Sequence, residues 1–241
     1  MLLRKWNELP SHMQCDEVRP YYDILEKKKG SLIAKRVFDV IAGSMLLIVL
    51  SGPMAIIAAC IKADSKGPIF YRQERVTTYG KKFGIHKFRT MVNNADKIGT
   101  AVTVQGDSRI TKVGHFLRKY RLDEFPQVFD VLSGNMSFVG TRPEATKYVE
   151  HYSNEMLATL LLPAGITSEA SIKYKDEAEL LKNAVDADKV YIEDVLPEKM
   201  GYNLQTVKNF NFMSDIKTMI KTVLSVAGIG DKWKWKKGWF Q

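Results

Sequence analysis

The most prominent feature of the hydrophobic pattern is an uncharged apolar run from Val40 to Ile61. As an α-helix this run would measure roughly 33 Å, which is enough to cross a bilayer core of about 30 Å. Ser51, Gly52 and Pro53 stand at its centre. Because Pro53 cannot donate to the helical ladder, the sequence predicts a break or bend there, and each half would reach only one leaflet's depth.

Positive charges flank this run on both sides. Lys35 and Arg36 precede it, and Lys62 and Lys66 follow it. Because positive residues favour the cytoplasmic side, these charges do not orient a single spanning helix. A hairpin that enters and leaves through one membrane face satisfies both ends, but proline is also common in kinked spanning helices. On the residues alone, both geometries remain open.

Beyond Gly67 the pattern changes to that of a small mixed domain. Residues 69–76 have the composition of a strand, Tyr79-Gly80 marks a turn, and residues 83–91 can pair back as a hairpin. Short helical patterns follow in GHFLRKYRL, DEFPQVFDVLSG, residues 148–162 and DEAELLKNAV. The sequence therefore predicts an α+β, mainly helical fold with one small β-hairpin.

The last strong periodicity predicts an amphipathic helix in NFMSDIKTMIKTVLSV. One face of this helix would carry only apolar side chains: Phe212, Ile216, Met219, Ile220, Val223 and Val226. Gly228 would end the helix. The tail that follows alternates lysine with tryptophan, which suits a membrane interface, although an unstructured terminus explains it equally well.

Composition and charge narrow the range of partners. Of the 241 residues, 45% are hydrophobic and 26% are charged, which is ordinary for a folded protein. The formal net charge of +9 favours nucleic acid, an anionic membrane surface or phosphorylated small molecules. Cys15 lies in a polar stretch and Cys60 in the apolar run, so we expect no disulfide and a reducing location.

The adjacent acids Asp123 and Glu124 are the strongest candidates for chemistry. They open a predicted helix, where free backbone amides and the helix dipole stabilise carboxylates and attract phosphate. Because neighbouring residues do not share a helix face, one acid could attack or accept a proton while the other holds a metal. The simpler alternative is that Asp123 only caps the helix, with Pro126 in its first turn and Gly134 at its end.

Four basic residues in short motifs favour phosphate chemistry near this pair. Lys87 and Arg89 lie in HKFRTM, Arg118 precedes the acids, and Arg142 lies in GTRPE. The planar fork of arginine suits phosphate oxygens, and lysine adds a compact charge. A carboxylate that approaches a diphosphate is repelled by it, so cations or Mg²⁺ would have to offset the repulsion.

The order of these motifs resembles that of the bacterial sugar transferase family, the polyprenyl-phosphate hexose-1-phosphate transferases with a monotopic membrane anchor. Over residues 33–226 the chain carries, in order, KRVFD, the proline-broken run, GPIFYRQERV, KFRTM, DSRITKVGHFLR, LDEFPQ, NMSFVGTRPE and AGIT. The resemblance implies a re-entrant membrane helix (31–66) and a catalytic domain with membrane-surface amphipathic helices (67–228). The residues outside them read as a polar N-terminal extension (1–30) and a basic, aromatic tail (229–241). The absence of further membrane helices before residue 31 is similar to the compact members of the family.

The resemblance also implies a role for each site residue. Asp123 would attack the sugar-bearing phosphate of a UDP-sugar, release UMP and hold the phosphosugar as an acyl phosphate. Polyprenyl phosphate would then take the phosphosugar and become a polyprenyl diphosphate sugar. Glu124 would coordinate Mg²⁺, and Lys87, Arg118 and Arg142 would contact phosphate.

The same resemblance implies a location. The family's Ser-Pro break favours the re-entrant form for Ser51-Gly52-Pro53. The enzyme would lie in the cytoplasmic leaflet of a bacterial inner membrane, with its catalytic domain facing the cytoplasm, and would begin glycan assembly there. Dimerisation is compatible with such an enzyme, although no residue in the sequence requires it.

Two motifs depart from the family pattern. Thr141-Arg142-Pro143 stands where many relatives have Pro-Arg-Pro. The usual Arg-Pro-Gly-Ile-Thr-Gly run appears as LPAGITS, residues Leu162–Ser168, without the basic residue and the second glycine. We therefore carry over no substrate contact at this loop.

Two other functions account for part of these observations. A nucleic-acid-binding protein fits the net charge, but no recognition motif supports it, and aromatic residues do not interleave with basic ones in residues 67–160. We therefore expect no nucleic-acid partner. A non-catalytic membrane scaffold of a glycan assembly complex would keep the fold without turnover, and it would tolerate Asp123→Asn.

Overall fold

The computed structural model describes residues 3–95, 107–174 and 186–226 of the chain. These residues form two small sheets and a larger number of helices, so the α+β, mainly helical prediction is confirmed. Three predicted features lie outside the described residues: the helix in DEAELLKNAV, the helix end at Gly228, and the basic, aromatic tail (229–241).

The described helices are α1 (Arg19–Glu26), α2 (Lys29–Asp64), α3 (Lys112–Lys119), α4 (Gln127–Ser133), α5 (Thr146–Val149), α6 (Glu169–Lys173), α7 (Ala187–Val190), α8 (Leu196–Lys208) and α9 (Phe212–Val226). A π-helical turn joins α7 to α8 at Tyr191–Val195, and short 3₁₀ turns cover Trp6–Glu8, Ser11–Met13, Thr78–Gly80, Leu122–Glu124 and Glu155–Leu161. Strands β1 (Phe70–Val76) and β2 (Lys82–Phe88) pair antiparallel, and β3 (Met136–Val139) and β4 (Ala164–Thr167) pair parallel.

The described part of the N-terminal stretch, residues 3–28, is packed into the domain. Five of its side chains lie in the largest buried apolar cluster of the described chain: Leu9, Met13, Val18, Tyr22 and Leu25. They pack with residues of the turn Glu155–Leu161 and the end of α8. The sequence predicted a polar extension here because residues 1–30 are polar and mixed in charge. The two short 3₁₀ turns explain why no periodic pattern of apolar residues indicated this packing.

Helix α2 packs against the domain in each of its two halves, and no residue from Ser44 to Pro53 is fully buried. The buried positions recur at helical spacing: Leu32, Lys35, Asp39, Gly43, Met54 and Ile61. The opposite face is apolar and exposed, with Ile48 75% and Val49 70% accessible. Of the helices in the described ranges, only α2 is long and apolar enough to cross a membrane. This large exposed apolar surface indicates membrane association.

The centre of α2 stays helical through Ser51, Gly52 and Pro53, so the predicted break is not a gap in the helix. Pro53 leaves the carbonyl of Val49 without its usual amide donor. The hydroxyl of Ser51 donates to the carbonyl of Ile48 at 2.7 Å, and a bond of this kind competes with the regular ladder. Both effects weaken the helix at its midpoint.

The positive residues that flank the apolar run bind to the protein itself. Lys35 Nζ donates to Asp215 Oδ2 at 2.6 Å. Arg36 donates to two carbonyl groups near the end of α4, at 2.7 and 2.8 Å. At the other end, Lys62 Nζ donates to the carbonyl of Gly67 at 2.8 Å. Charges that the sequence pattern assigns to membrane orientation therefore also tie both ends of α2 to the domain.

The predicted β-hairpin is confirmed. Strands β1 and β2 pair with Tyr71 opposite Lys87, and the turn Thr78–Gly80 joins them. Tyr79 and Gly80 both have positive φ, 59° and 76°. Left-handed residues of this kind allow a tight reversal that matches the twist of the strands.

The parallel pair β3–β4 has no counterpart among the sequence predictions. Each strand has only four residues, which is too short for an alternating pattern to show. The two segments approach most closely at two glycines, since a Cβ on Gly165 would collide with the backbone of Gly140. Only glycine allows so close an approach. The pair positions the loop that begins at Gly140 and carries Arg142.

Helix α9 confirms the predicted amphipathic helix and turns its polar side inward. Asp215 and Thr218 are each only 4% exposed. Ile220 and Val223, on the predicted apolar face, are 55% and 67% exposed. Ile220 and Val223 therefore point away from the described part of the protein, whereas Phe212, on the same predicted face, packs against Phe38.

Candidate active site

The two candidate acids lie in a tight connection between α3 and α4. Leu122–Glu124 form a 3₁₀ turn and α4 begins at Gln127, so the alternative that Asp123 caps this helix is wrong. Arg121, just before the turn, has a left-handed backbone with φ 57°. That conformation costs a non-glycine residue roughly 1–3 kcal/mol, and such strain clusters at functional sites. Gly134, with φ 82°, ends α4 as predicted.

Glu124 is held by two cations. Its Oε1 accepts from Lys87 Nζ at 2.9 Å and from Arg142 Nη2 at 3.2 Å, and the side chain is 16% exposed. Burial by itself would raise the pKa of Glu124, but Arg142 and Lys87 outweigh it and hold the pKa at about 2. Its Oε2 accepts no hydrogen bond from the described residues, so this oxygen is available to a ligand.

Asp123 has no such support. Within the described ranges, no side chain donates a hydrogen bond to its carboxylate. Burial raises the pKa of Asp123, and Glu124 adds to this effect, while Lys87 and Arg118 partly offset it. The two acids therefore have different surroundings, since Glu124 is held by two cations, whereas Asp123 is partly desolvated and accepts no side-chain hydrogen bond from the described residues.

Three of the four predicted phosphate-binding residues surround this pair. Lys87 lies near the end of β2 and Arg142 in the loop after β3, and both contact Glu124. Arg118, in the last turn of α3, is close enough to lower the pKa of Asp123. These cations come from three separate elements, so they meet only in the folded protein.

Arg89, the fourth predicted residue, binds elsewhere. Its side chain is buried, and its guanidinium donates to the carbonyls of Ser65 and Lys66 at 2.7 and 2.6 Å. A Cβ on Gly67 would collide with Arg89, so the chain closes tightly over this contact. The structure thus corrects the prediction. Arg89 secures the segment that follows α2, and we leave it out of the phosphate-binding residues.

The altered loop Leu162–Ser168 forms β4 and the start of α6. Leu162 is half-buried and packs beside the N-terminal apolar cluster. Ser168 has φ −157°, which needs no glycine, and its Oγ accepts from the amide of Ser171 at 2.9 Å to cap α6. The serine in place of the second family glycine therefore suits the local structure.

Sequence reasoning missed a buried polar network behind Arg142. Glu144 Oε1 accepts from Tyr191 Oη at 2.7 Å and from Lys199 Nζ at 3.2 Å. These three side chains are 4–6% exposed, and Tyr191 begins a π-helical turn, a feature frequent at functional sites. The network holds the loop that aims Arg142 at Glu124. No local signal could reveal it, because the partners are 47 and 55 positions apart.

Comparison with known proteins agrees with the motif order. The model of the bacterial sugar transferase family matches residues 30–228. The chain is 32% identical to the UDP-N-acetylgalactosamine-undecaprenyl-phosphate N-acetylgalactosaminephosphotransferase of Aeromonas hydrophila, over 85% of this chain and 48% of that protein. It is 35% identical to the UDP-glucose:undecaprenyl-phosphate glucose-1-phosphate transferase of Klebsiella pneumoniae, over 80% of this chain and 40% of that protein.

A shorter relative is covered more completely. The UDP-glucose:undecaprenyl-phosphate glucose-1-phosphate transferase of Caulobacter vibrioides is 33% identical, over 80% of this chain and 70% of that protein. The chain therefore spans less than half the length of the Aeromonas and Klebsiella relatives and most of the Caulobacter one.

Proposed function

Because the chain belongs to the bacterial sugar transferase family, we propose that it transfers a sugar 1-phosphate from a UDP-sugar to undecaprenyl phosphate. The products are UMP and undecaprenyl diphosphate sugar, the starting lipid for a bacterial glycan. The observation that carries the proposal is the division between the two acids. Asp123 is unengaged, whereas Glu124 is ionised and braced by Lys87 and Arg142.

The reaction proceeds in two displacement steps. A carboxylate oxygen of Asp123 attacks the phosphorus that bears the sugar, the bond from that phosphorus to UMP breaks, and UMP leaves with the electron pair. An acyl phosphate then joins Asp123 to the sugar. An oxygen of undecaprenyl phosphate attacks the same phosphorus, and Asp123 leaves as a carboxylate. Lys87 and Arg118 offset the repulsion between Asp123 and the diphosphate.

The acidic pair also suits Mg²⁺. Sites that bind Mg²⁺ with a nucleotide commonly use one or two carboxylates, and the substrate phosphates and water complete the shell. Such a site does not need three protein ligands, and the described residues form no group of three. Glu124 Oε2 is the available oxygen, since Oε1 already accepts from Lys87 and Arg142. Glu124 would hold Mg²⁺ there, and the ion would offset part of the negative charge of the diphosphate.

The proposal is tested with the detergent-purified full chain, undecaprenyl phosphate, Mg²⁺ and a panel of UDP-sugars. We expect UMP release with at least one sugar, a lipid-linked product, and loss of both in excess chelator. Glu124→Gln should raise the Mg²⁺ concentration needed for half-maximal activity. The absence of UMP release with every UDP-sugar would contradict the function, and full activity in chelator would contradict the role of Mg²⁺.

The pKa values of the two acids predict the acidic side of the pH–rate profile. An attacking carboxylate must be ionised. Because the pKa of Asp123 is raised, UMP release should fall as the pH drops through a value above the ordinary aspartate pKa of 3.8. Glu124, with a pKa of about 2, stays ionised there. Lys87 lowers the pKa of Asp123, so Lys87→Met should move this limb to still higher pH.

Rates of UMP release across a pH series, for wild-type protein and Lys87→Met, measure this shift. Lys189→Met, which removes an exposed lysine on α7, serves as the control and should leave the limb in place. A limb at lower pH in Lys87→Met would contradict the assignment of Asp123 as the titrating nucleophile.

We further propose that α2 is re-entrant and lies in the cytoplasmic leaflet of the inner membrane. Both halves of α2 contact the same domain. Gly43 packs against Leu132, and Met54 and Ile61 lie in one cluster with Leu117. A straight span would draw the middle of α2 away from these partners and into the bilayer. The exposed apolar face of α9 supports a position at the membrane surface.

Cysteine labelling tests this geometry in vesicles of known orientation. Gly30→Cys and Lys66→Cys, in a background with Cys15 and Cys60 replaced by alanine, place reactive groups near the two ends of α2. Both positions are exposed. A membrane-impermeant maleimide should label both from the cytoplasmic side, as it labels Lys189→Cys on the domain. Labelling of Gly30→Cys and Lys66→Cys from opposite sides would establish a spanning helix instead.

A further inference from the structure

The hairpin face that carries Lys87 also carries an arginine to which the proposed reaction assigns no role. Tyr71 lies opposite Lys87 in the antiparallel register, and Arg75 follows four residues later on the same strand. Residues two or four apart in a strand share one face, and directly opposed residues project to the same side. Arg75 therefore lies on the face of the hairpin from which Lys87 reaches Glu124.

Arg75 adjoins the loop that carries Arg142. The amide of Val76 donates to the carbonyl of Glu144 at 3.0 Å, so the end of β1 runs alongside this loop. The Arg75 Nη1 atom itself lies 3.5 Å from the carbonyl oxygen of Pro143. Burial lowers the pKa of Arg75, Glu144 opposes that effect, and Arg142 adds to it. Two guanidinium groups therefore approach one another at this edge of the site.

Arg75 has only partial charge compensation in the part of the chain that the structure describes, because Glu144 opposes its desolvation without forming an ion pair with it. Its close acceptor is the neutral amide oxygen of Gln73, at 2.7 Å from Nη2, and no described carboxylate forms an ion pair with it. Glu144 is the acid that acts on it most strongly, but Glu144 Oε1 is bound by Tyr191 and Lys199. Partial burial of a cation whose hydrogen-bond acceptors, Gln73 and Pro143, are both neutral is unfavourable. An anionic ligand would supply the missing charge.

We propose that Arg75 binds the nucleotide-side phosphate of the UDP-sugar, the phosphate that leaves on UMP. The inference rests on the proposed function and adds a substrate contact to it. Lys87 and Arg118 serve the sugar-bearing phosphate beside Asp123, and Arg75 holds its neighbour at the other end of the diphosphate. The planar fork of arginine binds two oxygens of one phosphate. When the bond to UMP breaks, Arg75 stabilises the charge that develops on the leaving phosphate.

UMP binding to the detergent-purified full chain, measured by calorimetry, tests this assignment without requiring turnover. Loss of a charge-assisted contact should weaken UMP binding in Arg75→Met by roughly 10- to 100-fold. Arg75→Lys should restore part of the affinity, because it returns the charge without the fork. Arg72→Met is the matched control. Arg72 is three residues away on the same strand, on the opposite face, where it donates to the carbonyl of Gly84.

The outcomes separate this inference from the function on which it rests. Wild-type binding of UMP in a folded Arg75→Met would overturn the role of Arg75, and so would equal weakening by Arg72→Met. If Arg75→Met fails to fold, as judged by its thermal unfolding, wild-type UMP affinity in Arg75→Lys would overturn it. A wild-type chain that neither binds UMP nor releases it from any UDP-sugar would overturn the proposed function itself.

Discussion

Replacing Asp123 with asparagine should reduce UMP release by at least about four orders of magnitude, as the loss of a covalent nucleophile does in other enzymes. An amide cannot form the acyl phosphate. The adjacent acid cannot take its place, because Glu124 Oε1 is bound by Lys87 and Arg142 and its pKa of about 2 makes it a weak nucleophile. The fold should be unaffected, since no described side chain donates a hydrogen bond to Asp123.

A labelling assay and a control variant test this prediction. Substrate labelled at the sugar-bearing phosphate should remain attached to denatured wild-type protein when undecaprenyl phosphate is omitted, and should not remain attached to Asp123→Asn. Asp188→Asn, at an exposed carboxylate of α7, is the control and should release UMP at the wild-type rate. If Asp123→Asn kept a tenth of the wild-type rate, the nucleophile would have to be another group.

Asp215→Ala should lower the free energy of unfolding by about 3–5 kcal/mol, the range found when one partner of a buried ion pair is removed. Asp215 is 4% exposed and Lys35 is 6% exposed, and their charged atoms are 2.6 Å apart. Without Asp215, the buried ammonium keeps only the carbonyl of Val139 as an acceptor among the described residues. Chemical denaturation of the full chain in detergent measures the loss.

The same helix supplies a matched control. Lys221 on α9 pairs with Glu169 at 2.8 Å, but the two side chains are 58% and 31% exposed. Glu169→Ala should therefore cost less than about 1 kcal/mol. The double substitution Lys35→Met with Asp215→Leu should recover most of the stability lost in Asp215→Ala, because it removes the unpaired charge. A loss in Asp215→Ala no larger than that in Glu169→Ala would show that Lys35 finds another partner.

This ion pair also explains how α9 is oriented. Burial raises the pKa of Asp215, and Lys35 offsets only part of that effect. The cost of burying the two charges therefore cancels much of the stability that the pair contributes. The ion pair instead fixes the orientation of α9, since it joins the N-terminal part of α2 to the buried side of α9. With Asp215 and Thr218 turned inward, Ile220 and Val223 face outward. The two apolar surfaces that suit a membrane are therefore set by a polar contact.

Features with a local cause could be predicted from the sequence. The long helix α2, the β1–β2 hairpin and the amphipathic helix α9 each follow from hydrophobic periodicity and turn residues within one segment. The acidic pair Asp123–Glu124 could also be singled out, because an acid beside basic motifs already suggests phosphate chemistry. The motif order then separated the roles of the two acids before any geometry was known.

Other sequence predictions failed where a distant partner decided the outcome. Arg89 sits in the same motif as Lys87, yet it binds carbonyls at the end of α2. The N-terminal stretch looked polar, yet Met13 and Leu25 are fully buried. The parallel pair β3–β4 depends on the contact of Gly140 with Gly165, and four-residue strands carry no readable pattern.

The sequence by itself determined the elements with strong local patterns, the candidate acids and the family, because each of these depends on residues that are neighbours in the chain. Only the tertiary structure decided which acid is braced, which arginines face the site and which side of α9 is exposed. Those outcomes depend on contacts between residues far apart in the chain, such as Lys87 with Glu124 and Lys35 with Asp215. Burial then sets the electrostatic consequence, leaving Asp123 with a raised pKa and Glu124 with a lowered one.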